Sequence, residues 1–155
     1  MSRARLYLHC VALIAPFTAA ATFACMVDRD ADFILRMAGI FGGVGALSAQ
    51  IAALLRWRAL ERRARAGSGG WITGIGMAAI THVLFGVLAA IGLAIAAGGW
   101  RKSAGSGSPF DIVVQALFFM LASILPVGIV TVPATGGFAE WIARLRSREL
   151  ADVRR

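Results

Sequence analysis

Long apolar segments separated by short charged ones form the dominant pattern of this chain. A helix needs about 20 mostly apolar residues to cross a bilayer, and four segments reach that length. They predict membrane-spanning helices over about residues 6–25, 33–55, 71–99 and 110–135. The connections between them are too short to be separate domains. The sequence therefore predicts one all-α integral membrane domain, a bundle of four transmembrane helices.

The last apolar segment is longer than one membrane crossing. It continues over residues 110–143, roughly 51 Å as a single helix at 1.5 Å per residue. Pro126 and Pro133 lie inside it, and each removes a backbone donor and tends to kink a helix. We expect the spanning helix to end between Pro133 and Gly136, followed by a short amphipathic helix over about 138–153 that lies along the headgroups or docks onto a partner. One continuous tilted helix that emerges from the membrane is the alternative.

Composition supports a membrane protein over a soluble one. Hydrophobic residues make up 59% of the chain and charged residues 15%, against about 45–50% and about 25% in soluble domains. The net charge of +8 raises the question of nucleic acid. However, the basic residues lie just beyond the apolar segments and form no stripe interleaved with aromatic residues. We therefore expect no nucleic-acid partner.

The distribution of basic residues predicts the orientation of the chain. Twelve of the sixteen fall on one side of the predicted membrane, and the side rich in lysine and arginine is the cytoplasmic one. Both termini are then cytoplasmic, and the arginine-rich, lysine-poor usage indicates a bacterial inner (cytoplasmic) membrane. The basic residues assigned to topology or to lipid headgroups are Arg56, Arg58, Arg62, Arg63, Arg65, Arg144, Arg146 and Arg148.

The first apolar segment also has features of a secretory signal peptide. Arginines precede it, Pro16 interrupts it, and Ala19–Ala21 resembles a cleavage site. The apolar run continues to Cys25, which favours a retained helix and leaves cleavage as the alternative. Cys10 and Cys25 would lie roughly 22 Å apart on that helix, too far for a disulfide.

His9 and His82 are the candidates for chemistry inside the membrane, where ionisable residues are costly and often functional. Two histidines on different helices can bind a haem b from both sides. The predicted depths of these two differ by roughly 12 Å. We therefore expect neutral, hydrogen-bonded histidines and no cofactor, with haem b as the alternative.

Small residues at four-residue spacing predict close helix packing. Gly39 and Gly43 form a GxxxG motif, which Gly42, Gly45 and Ala46 extend. The third segment repeats the spacing, so we expect helices two and three to pack tightly, within one protomer or between two. The packing residues that this pattern assigns are Gly39, Gly43, Ala46, Gly86, Ala90, Gly92 and Ala96.

No sequence motif indicates an enzyme. The chain has no nucleophile elbow, phosphate-binding loop or metal triad. Short loops and small-residue faces favour a non-enzymatic accessory, assembly or structural subunit of a larger membrane complex, whose partners are the lipid bilayer and either another membrane protein or further copies of the chain. One alternative is a small oligomeric transporter or channel with a path lined by Gln50, His82 and Gln115. A haem-binding membrane anchor is the other.

Overall fold

The computed structural model describes residues 2–96 and 109–153, and these form four helices. Helix α1 covers Arg3–Val27. Helix α2 runs from Ala31 to Arg65 and contains a π-helical turn at Ala38–Gly42. Helix α3 covers Trp71–Ala96. Helix α4 consists of Pro109–Ser123, a π-helical turn at Ile124–Gly128, and Ile129–Asp152.

All four helices are long and apolar enough to cross a membrane. This confirms the all-helical fold and the four apolar helices that the sequence predicts. The predicted segments 6–25 and 33–55 lie inside α1 and α2, and the segment 71–99 starts with α3 at Trp71, while residues 97–99 fall outside the described residues. The largest difference among these three is at the C-terminal end of α2, which continues ten residues past the prediction to Arg65.

Local signals explain where the helices start. Ser2 caps α1, since its hydroxyl accepts a hydrogen bond from the Arg5 amide at 3.3 Å. Asp30 caps α2, because its carboxylate accepts from the amides of Asp32 and Phe33. Helix α2 ends before Gly67, whose φ of +67° suits glycine in the left-handed region.

The predicted break between Pro133 and Gly136 is wrong. The segment Ile129–Asp152 is one α-helix that runs through both residues. Packing of α3 against the backbone at Gly136 favours continuity, while Pro126 lies further upstream, in the π-helical turn at Ile124–Gly128. A Cβ on Gly136 would lie only 2.9 Å from the ring of Trp71, so close contact between α3 and α4 holds the helix where local propensity would end it.

The C-terminal part of α4 is not a separate surface helix. Ala139, Ile142 and Ala143 are at most 2% exposed. They pack into a hydrophobic core with residues from the other three helices, among them Leu8 of α1 and Leu60 of α2. This core lies where the arginines cluster, and we call this part of the molecule the arginine-rich end.

At the other end the four helices form an open row. Helix α1 packs on α2, α2 on α3, and α3 on Pro109–Ser123 of α4. Among the described residues, the main packing of α1 on α4 is against the segment Ile129–Asp152. The bundle is therefore closed at the arginine-rich end and open at the opposite end.

Candidate functional site

His82 lies between α3 and α4 and is 7% exposed. Its Nδ1 is 3.0 Å from the hydroxyl oxygen of Ser123, and its Nε2 is 3.1 Å from that of Thr131. Both hydroxyls belong to α4 and flank its π-helical turn. His82 is therefore held on both ring nitrogens by one neighbouring helix.

The hydrogen bonds determine which ring nitrogen carries the proton. The Ser123 hydroxyl donates to the carbonyl oxygen of Met120 at 2.8 Å, so its oxygen accepts from His82. The proton then lies on Nδ1, and Nε2 accepts from the Thr131 hydroxyl. This arrangement describes a neutral imidazole whose two nitrogens are both satisfied.

The π-helical turn brings Ser123 and Thr131 to the same face of α4. Eight residues of an ideal α-helix turn by about 800°, which would leave the two side chains about 80° apart. A π-helical turn acts as a one-residue insertion, which removes about 100° of that rotation and leaves the side chains within about 20°. The turn at Ile124–Gly128 is therefore the backbone feature that lets both hydroxyls reach His82.

His9 makes a reciprocal pair of hydrogen bonds between α1 and α2. Its Nδ1 is 2.7 Å from Oε1 of Gln50, and Nε2 of Gln50 donates to the backbone carbonyl of His9 at 2.7 Å. Gln50 thus fastens both the ring and the backbone of His9. This pair joins α1 to α2 as His82 joins α3 to α4.

The two histidines lie in different helix contacts. His9 bonds to Gln50 of α2, whereas both ring nitrogens of His82 bond to hydroxyls of α4. Within the part of the chain that the structure describes, no group of three or more His, Cys, Asp or Glu residues is placed to hold a metal ion.

The polar side chains proposed for a transport path lie on separate helix contacts. Gln50 is engaged between α1 and α2, and His82 between α3 and α4, while Gln115 lies half-buried on α4. Two surface cavities lie at opposite ends of the helices. One, of about 380 Å³, is lined by Arg58, Glu61, Arg62 and Arg65, and the other, of about 570 Å³, by residues 25–29. Neither touches these three side chains.

The small residues assigned to helix packing divide into two groups. Ala46 and Ala90 are buried, and Gly86 lies against the Ala116 carbonyl and the Met120 side chain. Gly39, Gly43 and Gly92 have open space where a Cβ would lie, and Ala96 is exposed. The GxxxG pair itself therefore makes no close contact with the part of the chain that the structure describes.

The close contact of α2 uses the neighbouring register. A Cβ on Gly42 would lie 2.6 Å from the Phe17 ring, and one on Gly45 would lie 2.9 Å from the Pro16 ring. Helix α2 thus packs through these glycines on α1. The sequence pattern included both glycines as extensions of the GxxxG motif, but it predicted that they pack against α3.

The contact of α3 with α4 includes glycines that the four-residue spacing did not single out. A Cβ on Gly74 would lie 2.7 Å from Cα of Gly136 and 2.8 Å from Cβ of Ala139. A Cβ on Gly70 would likewise clash with the carbonyl oxygen of Ala139. The run of glycines before and in the first turn of α3 could have indicated this close contact. The same run is also typical of a flexible loop.

Charged groups at the arginine-rich end join three helices. Arg146 of α4 contacts Glu61 of α2 at 2.7 Å and Glu149 at 3.1 Å. Glu149 in turn accepts a hydrogen bond from the Ala4 amide of α1 at 3.2 Å. The hydrogen bond between Arg146 and Glu61 lowers the pKa of Glu61 and raises the pKa of Arg146, because it stabilises the charged form of each group.

Glu140 of α4 caps the start of α3. Its Oε2 accepts from the Gly70 amide at 2.7 Å, and its Oε1 contacts Nε of Arg144 at 3.0 Å. The hydrogen bond from Arg144 lowers the pKa of Glu140, and the amide contributes in the same direction. A carboxylate at a helix N-terminus also interacts favourably with the helix dipole. The glycine-rich turn before α3 is therefore fixed by a side chain from α4.

The other arginines assigned to topology or headgroups have different surroundings. Arg65 lies 3.4 Å from Glu61. Arg58, Arg62 and Arg148 are exposed and make no ion pair with any residue that the structure describes, while Arg56 and Arg63 are half-buried.

Comparison with known proteins found no matching family model, no matching curated protein and no matching solved structure.

Proposed function

We propose that this chain is a non-enzymatic accessory or assembly subunit of a larger membrane complex. The observation that carries the proposal is the open row of helices. In the most apolar stretch of α1 and of α4 only 6% of residues are buried within the chain, against 33% in α2 and α3. The two outer helices of the row thus present wide apolar faces on which helices of another protein can pack.

The internal polar contacts support a packing role. Histidines and hydroxyls inside the apolar region bond to one another and leave small residues and aliphatic side chains on the outside. Association of helices in lipid depends on such close packing. A transporter is the less supported alternative, because Gln50 and His82 are engaged in separate helix contacts.

The location proposed for the subunit is a bacterial inner membrane, with both chain termini in the cytoplasm. The support is the clustering of arginine at the end where α1 begins and α4 ends. Ala4 and Leu8 of α1 belong to the hydrophobic core, which favours a first helix that is retained. Fusions of a cytoplasm-active and a periplasm-active reporter to each terminus test this orientation. Activity of the periplasmic reporter at either terminus would contradict it.

Site-specific crosslinking in native membranes tests the subunit proposal. A photoreactive residue at Leu13 of α1 or Phe118 of α4 lies on an outer helix, where these side chains are 51% and 65% exposed. Leu47 of α2 and Val83 of α3 are 54% and 50% exposed and provide matched controls. We expect protein adducts from the outer positions and predominantly lipid adducts from the controls.

Purification in mild detergent completes this test. The affinity-purified chain should carry a stoichiometric partner protein, and the crosslinked adduct should contain that same protein. A chain that purifies alone and gives no protein adduct at Leu13 or Phe118 would refute the proposal.

A further inference from the structure

Arg56 lies at the inner end of the apolar part of α2 and contacts α3. If Gly76 of α3 carried a Cβ, that atom would lie 2.8 Å from Nη2 of Arg56, 3.2 Å from Cζ and 3.3 Å from Nε. Three guanidinium atoms thus lie close to the backbone of the neighbouring helix. A side chain at position 76 would have to displace the guanidinium from this contact.

This guanidinium has no anionic partner among the described residues. Its Nε is buried and makes no hydrogen bond. Three glutamates of the arginine-rich end are engaged elsewhere: Glu61 and Glu149 contact Arg146, and Glu140 contacts Arg144. A half-buried cation without a counter-ion is costly unless an anion pairs with it. Because Nε is buried, such an anion would meet the guanidinium at its two Nη groups.

The position of Arg56 indicates the kind of anion. Leu54 and Leu55, just before it, are 54% and 64% exposed and suit the acyl chains of lipid. Arg56 is the first charged residue beyond them, so its side chain reaches the level of the headgroups. A guanidinium binds a phosphate through two parallel N–H donors, which an ammonium group cannot do.

We propose that Arg56, packed against Gly76, forms a binding site for the phosphate of an anionic phospholipid in the leaflet at the arginine-rich end. The site differs from general attraction of lipid by surface arginines, because this guanidinium lies against the backbone of a neighbouring helix. Inorganic phosphate shares the same chemistry, and the assay below separates the two sources. The site does not depend on the subunit proposal, because both helices belong to this chain.

Lipid binding to the purified full chain in neutral detergent tests the site. Phosphatidylglycerol, phosphatidylcholine and inorganic phosphate are titrated separately, and bound lipid is counted by native mass spectrometry. We expect saturable binding of phosphatidylglycerol, at least tenfold weaker binding of phosphatidylcholine, and no competition from millimolar phosphate. Equal binding of the neutral lipid, or displacement of phosphatidylglycerol by phosphate, would refute an anionic-lipid site.

Three variants locate the site. Arg56→Gln removes the guanidinium, and Gly76→Ala displaces it, so each should weaken phosphatidylglycerol binding about tenfold. Arg58→Gln removes an exposed arginine two residues away with the same change of charge, and it should reduce binding less than twofold. Equal losses in Arg56→Gln and Arg58→Gln would refute the site.

Arg56→Lys keeps the charge and provides a second test of the site if Arg56→Gln does not fold. It should bind phosphatidylglycerol more weakly than the wild type, because lysine lacks the two-donor geometry. Lysine at full affinity would refute recognition by the guanidinium. Helical circular dichroism and size-exclusion elution confirm that each variant compared is folded.

Discussion

Replacement of Gly74 by alanine tests the close contact between α3 and α4. The added Cβ would lie 2.7 Å from Cα of Gly136 and 2.8 Å from Cβ of Ala139, and still closer to the Thr135 carbonyl oxygen. Two of these neighbours are backbone atoms, which cannot rotate away. The helices must therefore move apart to accommodate one methyl group.

Two opposing effects set the size of the change. Overpacking of a tight contact costs about 1–3 kcal/mol, and the rigid backbone neighbours favour the upper half of that range. Alanine in place of glycine within a helix stabilises by up to about 1 kcal/mol. We expect Gly74→Ala to lower the free energy of unfolding by about 1–2 kcal/mol.

Gly92→Ala is the matched control on the same helix. A Cβ at Gly92 has no heavy atom within 4 Å, so the substitution should be neutral or stabilising by up to about 1 kcal/mol. Unfolding by sodium dodecyl sulfate in mixed micelles, followed by circular dichroism, measures both variants. If Gly74→Ala is as stable as the wild type, α3 and α4 do not approach each other as described.

Three further predictions concern the polar contacts and use the same unfolding assay. Arg146→Met leaves Glu149 without its cation and Glu61 with Arg65 alone, although each glutamate side chain is about 80% buried. We expect a loss of about 2 kcal/mol, between the values for surface and buried ion pairs, and a loss under 0.5 kcal/mol would contradict this. The pKa of Glu61 is lower in the folded chain than its ordinary value of 4.5, so its stabilisation is present above that value and is lost as the pH falls through the folded pKa. Glu61→Gln should flatten that part of the pH profile, and an unchanged profile would refute the assignment. His82→Ala creates a cavity and leaves the Thr131 hydroxyl without its acceptor, at a cost of about 2–4 kcal/mol; unchanged stability would mean that the imidazole does not join α3 to α4.

Hydropathy located the helices well but not their ends. The apolar segment predicted over 33–55 lies within a helix that extends to Arg65. Hydropathy reports which residues suit the interior of a bilayer, whereas the helical backbone continues into polar sequence. The ends of α1 and α2 depend on caps and on Gly67, which act through individual hydrogen bonds and one φ angle.

The continuity of α4 was not predictable from local preference. Pro133 and Gly136 each disfavour a helix interior, and together they predicted a break. In the fold, Gly136 lies against α3 at Gly74, and Trp71 covers it. The same residue that weakens an isolated helix therefore permits the contact that stabilises this one.

The histidines were identifiable from the sequence, but their partners were not. An ionisable residue in an apolar segment is a clear signal, whereas the choice of partner depends on the rotation of each helix. Ser123 and Thr131 reach His82 together only because a π-helical turn shifts the phase of α4. The spacing of glycines likewise predicted close packing on α2 but not that Gly42 would face α1.

Hydrogen exchange across residues 130–150 tests most directly whether the second half of α4 is one helix packed into the core of the arginine-rich end. In mild detergent, the account predicts slow exchange that continues through the amides of residues 134–145, with the slowest rates around Ala139 and Ile142, which are fully buried. Fast exchange around residues 133–137, followed by uniform moderate protection, would instead indicate a break and a surface helix, and would contradict the fold on which the functional proposal depends.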